Sequence, residues 1–174
     1  KLKSQITNAT KLVEVEDLYR PYKEKKKTKA TEAIKNGLEP LAKMIMSCPL
    51  NGDIKKLSER FINENVKDET SALEGAKYII AEWISDNASF RKYIRSNMYK
   101  YGTLVTKIKK NAKDENKTYE MYYDYSEAVS KIKPHRILAI NRAEKENVIT
   151  VKIDVNEEKI IEYLEKKNIK NEKS

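Results

Sequence analysis

The chain has 174 residues, enough for one domain or two small ones sharing a core. Gly and Pro number four each and hydrophobic residues make up 39%, a composition that favours a folded helical protein over disorder. The 36 Lys and Arg against 27 Asp and Glu give a net charge of +9, which suits a polyanionic partner, and no apolar run approaches the roughly 18 residues of a membrane span.

Charge is unevenly spread. Residues 1–50 carry 11 basic and 6 acidic side chains, residues 51–100 carry 9 and 8, residues 101–150 carry 10 and 7, and the remainder 6 and 6. The chain starts at Lys1 with no initiator Met, which reads as processing or as a piece of a longer protein. Nothing near the start resembles a signal peptide, and a single cysteine, Cys48, fits a reducing, cytoplasmic setting.

Residues 5–19 predict a helix or the end of one, with Ile6, Leu12, Val13 and Leu18 as its apolar positions, broken by Pro21. The run Tyr22 to Lys29 holds five lysines and predicts an exposed, extended connector. Thr28 or Thr31 caps a short helix ending at Asn36-Gly37, and Pro40 lies early in the next, which presents Leu41, Met44 and Ile45. Pro49, Asn51 and Gly52 predict a turn. Asp53 caps a helix through Leu57, Phe61 and Ile62.

Ser71 and Glu74 fit a capping box before a helix with Leu73, Ala76, Ile80, Trp83 and Ile84 on one face. A new start at Ser85 or Asp86 leads into Ala88, Phe90, Tyr93, Ile94 and Met98. Gly102 stops that helix, and Leu104, Val105 and Ile108 resume the pattern. Residues 110–118 predict a loop, followed by Tyr119, Tyr122, Tyr123 and Tyr125. Pro134 opens a helix with Ile137, Leu138 and Ile140. Val148 to Val155 is the one good strand pattern, and a lone strand calls for a neighbour outside the chain. A final helix starts near Asn156. The fold class is therefore mainly α: a multi-helical segment with at most one or two short strands near the C-terminus.

Catalytic chemistry finds no footing. One His and one Cys, far apart, make no zinc-site spacing, and the four glycines are isolated, so no phosphate loop exists. His135 has no serine or cysteine motif beside it, which favours a structural or interface role; Trp83 and Tyr122 read the same way. No catalytic residue, metal or cofactor is expected. Two basic groups suit a phosphate backbone: Arg20, Lys23, Lys25, Lys26, Lys27 and Lys29, then Arg136, Arg142 and Lys145. Each also reads as ordinary lysine-rich surface. The tyrosines at 119–125 either stack on single-stranded bases or pack between helices.

Four blocks resemble the bacterial Tex family of S1-domain transcription accessory proteins. They are Leu18-Tyr19-Arg20-Pro21-Tyr22-Lys23 running on to Ala30, Gly37-Leu38-Glu39-Pro40-Leu41-Ala42, Ala72-Leu73-Glu74-Gly75-Ala76 through Arg91, and His135-Arg136-Ile137-Leu138-Ala139-Ile140-Asn141-Arg142. They follow in the family's order over about residues 10–155.

The resemblance implies a long multidomain protein: a helical N-terminal region with helix-turn-helix character, a ribonuclease-H-like (YqgF-type) domain generally regarded as lacking its catalytic acids, helix-hairpin-helix elements and an S1 domain. This chain corresponds to the helical part upstream of the ribonuclease-H-like domain. The divisions implied are a basic linker and helical start at 1–37, a helical core at 38–147, and a strand and terminal helix at 148–174. The partners implied are RNA or DNA, bound weakly and without sequence preference, the remaining domains of the full-length protein, and the RNA polymerase machinery; no membrane is involved. The family is also similar to a eukaryotic transcription elongation factor and histone chaperone. Two departures weaken transfer of contacts from the last block: Pro134 where the family commonly has Ser, and Ala143 where it commonly has Gly.

Overall fold

Apolar residues at three-to-four spacing, with few glycines or prolines inside the runs, make most of the chain helical. A computed structural model of the chain describes residues 2–24, 27–47 and 53–169. Lys25, Lys26, Cys48 and the turn predicted at Pro49, Asn51 and Gly52 lie outside the described residues. The chain divides into two compact units: residues up to Lys92 together with those from Ile161 onward, and Tyr93–Ile160.

In the first unit, α1 (Leu2–Thr7) and α2 (Leu12–Tyr19) replace the single helix expected over 5–19. A 3₁₀ turn, Arg20–Tyr22, follows at Pro21. Thr28 caps α3 (Lys29–Lys35): its Oγ1 accepts from the Thr31 N–H at 3.1 Å, and Thr31 Oγ1 accepts from the Thr28 N–H at 2.8 Å. Gly37 ends α3 at φ +82°, a left-handed conformation that glycine adopts without a Cβ penalty. Next come α4 (Glu39–Met46) and α5 (Ile54–Glu59), the latter capped by Asp53 and ending before Phe61 rather than beyond Ile62.

The spine of this unit is α6 (Glu69–Asp86), against which α3, α4 and α5 pack. Its cap is Asp68, whose Oδ1 accepts from the Ser71 N–H at 2.7 Å, so the cap lies three residues before the expected Ser71 box. Its buried stripe is Ala72, Gly75, Ala76 and Ile79. The larger Leu73, Ile80, Trp83 and Ile84 are only partly buried. Small residues occupy the inner face because α3 and Leu38 approach closely there: a Cβ on Gly75 would lie 2.3 Å from Leu38 Cδ1 and 3.3 Å from Ala33 Cβ. The core comprises Ala30, Ala33, Leu38, Leu41, Ala42, Val66 and the α6 stripe, with Trp83 packed against it. Asn87 then caps α7 (Ala88–Tyr101), accepting from the Ser89 and Phe90 N–H groups, and α6 runs on through the start expected at Ser85 or Asp86.

The second unit contains β1 (Thr103–Ile108), a 3₁₀ turn (Glu120–Tyr122), β2 (Asp124–Ala128), α8 (Pro134–Lys145) and β3 (Ile149–Asp154), and α9 (Glu157–Asn168) follows. The three strands form an antiparallel sheet in the order β2-β1-β3. The mainly α expectation holds, with one strand more than expected. Leu104, Val105 and Ile108 belong to a strand and not to a resumed helix. The unpaired strand is also corrected: β3 pairs with β1 along its length, from Thr103↔Asp154 to Ile108↔Ile149. Leu104, Thr106, Ile108, Tyr125, Ile149 and Val151 share one face, since side chains alternate along a strand. Leu104, Tyr125, Ile149 and Val151 from that face join a core with Tyr119, Tyr122, Ile140, Ala143 and Val148.

Candidate nucleic-acid interface

The first basic group begins where α2 gives way to the 3₁₀ turn. Pro21 lacks an N–H and fixes φ, which stops the α-helix, and the backbone is extended at Lys23. Arg20 points back: its Nε donates to Asp86 Oδ1 at 2.8 Å, and Asp86 is itself buried. A matching pair lies beside it, with Arg91 Nε donating to the buried Asp17 Oδ1 at 2.6 Å. Lys23 and Lys27 are exposed and have no carboxylate at ion-pair distance among the described residues. Lys29 is engaged: its Nζ donates to Tyr78 Oη at 3.1 Å and lies 4.8 Å from the centre of that ring. The Tyr78 hydroxyl raises the Lys29 pKa above the ordinary lysine value.

In the second group, α8 separates its cations by face. Ile140 and Ala143 are buried, with Arg136 and Ala139 partly so. Arg136 Nη1 donates to Glu127 Oε1 at 2.8 Å and to Tyr125 Oη at 3.1 Å, and Tyr125 Oη donates to Glu127 Oε2. The Tyr125 hydroxyl and then Arg136 hold Glu127 below the usual carboxylate range. Burial, with Glu127 behind it, pushes the Tyr125 phenol up. On the opposite face His135, Leu138, Arg142 and Lys145 are all exposed, at spacings of three, four and three residues. Neither Arg142 nor Lys145 has an ion-pair partner among the described residues.

The two groups belong to different units, and within each the fold divides anchored cations from displayed ones. Arg20 and Arg136 are anchored; Lys23, Lys27, Arg142 and Lys145 are displayed. Tyr119 and Tyr122 are buried and closed to a base. Tyr122 packs edge-on to Tyr125 at 5.4 Å between centroids. Partners that sequence reasoning did not connect to these cations complete the picture: Asp86, Tyr78 and Glu127 hold Arg20, Lys29 and Arg136, and the separations of 66, 49 and 9 residues leave no local signal. Among the described residues no group of three or more His, Cys, Asp or Glu side chains is placed to hold a metal, and no helix is long and apolar enough to cross a membrane.

Arg142 and Lys145 are thus displayed from α8, and Lys23 and Lys27 from the stretch between the 3₁₀ turn and α3. Residues 51–173 match the family described as Tex central region-like. The chain belongs to the Tex family. It is 49% identical over 98% of its length to the protein YdcI of Bacillus subtilis, of which it covers 24%. It is 31% identical over 86% of its length to the transcriptional accessory protein Tex of Neisseria gonorrhoeae, covering 20% of that protein. A human protein, S1 RNA-binding domain-containing protein 1, is 31% identical over 86% of this chain, which covers 16% of it. The chain therefore spans a quarter or less of the length of these Tex relatives.

Proposed function

We propose that this chain is a non-catalytic helical scaffold within a nucleic-acid-binding transcription accessory protein, and that it contributes a basic auxiliary surface for RNA or DNA. One observation carries the reading: Lys23, Lys27, Arg142 and Lys145 are exposed and unpaired among the described residues, while Arg20 and Arg136 are tied down as supports. Exposed cations of this kind neutralise phosphates and release counterions, giving affinity that depends on salt and hardly on sequence. The relatives' names, a transcriptional accessory protein and an S1 RNA-binding domain-containing protein, point the same way. The setting is cytoplasmic.

Replacing Lys23, Lys27, Arg142 and Lys145 together by Gln tests this. The substitutions leave both cores and both anchored arginines alone, so the circular dichroism spectrum should stay unchanged. Binding to a labelled RNA should fall, and the salt dependence should flatten by roughly one counterion per cation removed. Unchanged binding would reduce these side chains to a solvated surface.

A second reading has its own support. Leu138, one helical turn before Arg142 on the same face, is 69% exposed, and its neighbour Ile137 is 38% exposed. Such a face suits an acidic, partly apolar protein surface, in the other domains of the same protein or in polymerase. It predicts that the missing domains, added in trans, bind the chain and that Leu138→Lys abolishes this.

A further inference from the structure

Tyr19 and Tyr22 are 53% and 64% exposed, aromatic rings whose faces are open to a partner. Neither ring stacks or hydrogen-bonds with any described residue. They stand three apart where α2 passes into the 3₁₀ turn, a geometry in which side chains at i and i+3 lie nearly in line, roughly 6 Å apart along the axis.

The backbone beneath them is held. Pro21 fixes φ between the two rings. The Arg20–Asp86 pair pins the turn to the end of α6, and the Asp17–Arg91 pair pins α2 to the start of α7, each through a buried carboxylate. Two exposed rings on an anchored turn cost little conformational entropy to engage. Lys23 follows directly in extended backbone, and Lys27 lies further along.

We propose that Tyr19 and Tyr22 form a stacking platform for two unpaired bases, with Lys23 and Lys27 on the flanking phosphates, so that this surface selects single strands. The proposal rests on the nucleic-acid reading above and adds to it a strand preference with its own residues. Rings stack on any base face and contribute no sequence preference, whereas a duplex keeps its bases stacked on each other and offers the rings nothing. Cations beside the rings favour a polyanion over an apolar protein surface as the occupant.

The test uses the 174-residue chain, a labelled 12-mer of single-stranded oligodeoxyadenylate and a blunt duplex of equal length. Fluorescence anisotropy should give tighter binding to the single strand. Tyr19→Ala and Tyr22→Ala should each weaken single-strand binding by roughly 5- to 100-fold, the range for loss of a base–aromatic stack, with duplex binding and the salt slope unchanged. Tyr19→Phe and Tyr22→Phe should retain binding, because the ring and not the hydroxyl is used. Lys23→Gln with Lys27→Gln should weaken both probes and flatten the salt slope.

Salt-dependent binding with no strand preference, or alanine variants that bind the single strand as the parent does, would overturn the platform and leave the basic surface standing. Binding of neither probe at low salt would overturn both. Alanine variants that keep nucleic-acid affinity but lose binding to the remaining domains in trans would give the rings to a protein partner and also overturn it.

Discussion

Glu127 accepts from the Tyr125 hydroxyl and from Arg136 at once, and these donors hold its pKa down. Asp68, held low by the Ser71 N–H, behaves similarly. In Asp114 burial pushes upward, but the Tyr119 and Thr118 N–H groups and the Tyr123 hydroxyl outweigh it. A carboxylate with a depressed folded pKa contributes stability above its unfolded value, roughly 4, and loses that contribution as pH falls through the folded value. The thermal midpoint should therefore hold steady near neutrality and decline in acid below about pH 4. Glu127→Gln should lower the midpoint at neutral pH and make the acid decline shallower, read by circular dichroism. A midpoint that rises in acid would show these hydrogen bonds to be absent. Gly75 offers a second test. Alanine there gains helix propensity, about 1 kcal/mol, but its Cβ would meet Leu38 Cδ1 at 2.3 Å and Ala33 Cβ, which has no rotamer to yield, at 3.3 Å. Overpacking of about 1–3 kcal/mol wins; Gly75→Ala should be less stable by about 1 kcal/mol in urea titration.

At the scale of elements, what the sequence shows is what local chemistry decides. Thr28, Asp53 and Asn156 are caps because a short oxygen-bearing side chain meets the first free N–H groups, and Pro134 opens α8 for want of an N–H. All four stand in the sequence. β1 and β2 do not, because Leu104, Val105 and Ile108 fit a helix as well as a strand until Thr103 to Ile108 find Ile149 to Asp154 across the sheet. The same locality limits the site. Lys23 and Lys27 lie in a visible lysine run, whereas the capture of Arg20 by Asp86 depends on a residue 66 positions away. The sheet also makes a prediction. Thr106 is fully buried on β1 and its Oγ1 donates to the Tyr122 carbonyl, joining the central strand to the 3₁₀ turn. Thr106→Val keeps the shape and removes the donor. It should cost about 1 kcal/mol, read as a lower urea midpoint with an unchanged slope. No change in midpoint would mean that this bond contributes nothing to the sheet.

At the scale of the whole molecule, two cores, one around α6 and one between the sheet and α8, carry the fold, and the surface carries most of the charge. Buried or half-buried ion pairs hold the turn at Arg20 and the helix at Arg136, and Lys23, Lys27, Arg142 and Lys145 face outward. The chain covers 24% of the Bacillus subtilis relative and 20% of the Neisseria gonorrhoeae one, so the proposed surface is a small part of what a protein of that length presents. The most direct measurement is binding of the 174-residue chain to single- and double-stranded RNA and DNA across a salt series. The account predicts weak binding whose logarithm falls linearly with the logarithm of salt concentration, by about 0.7–0.9 per phosphate neutralised. No binding to any of the four at low salt would contradict it and leave the chain a protein-docking scaffold.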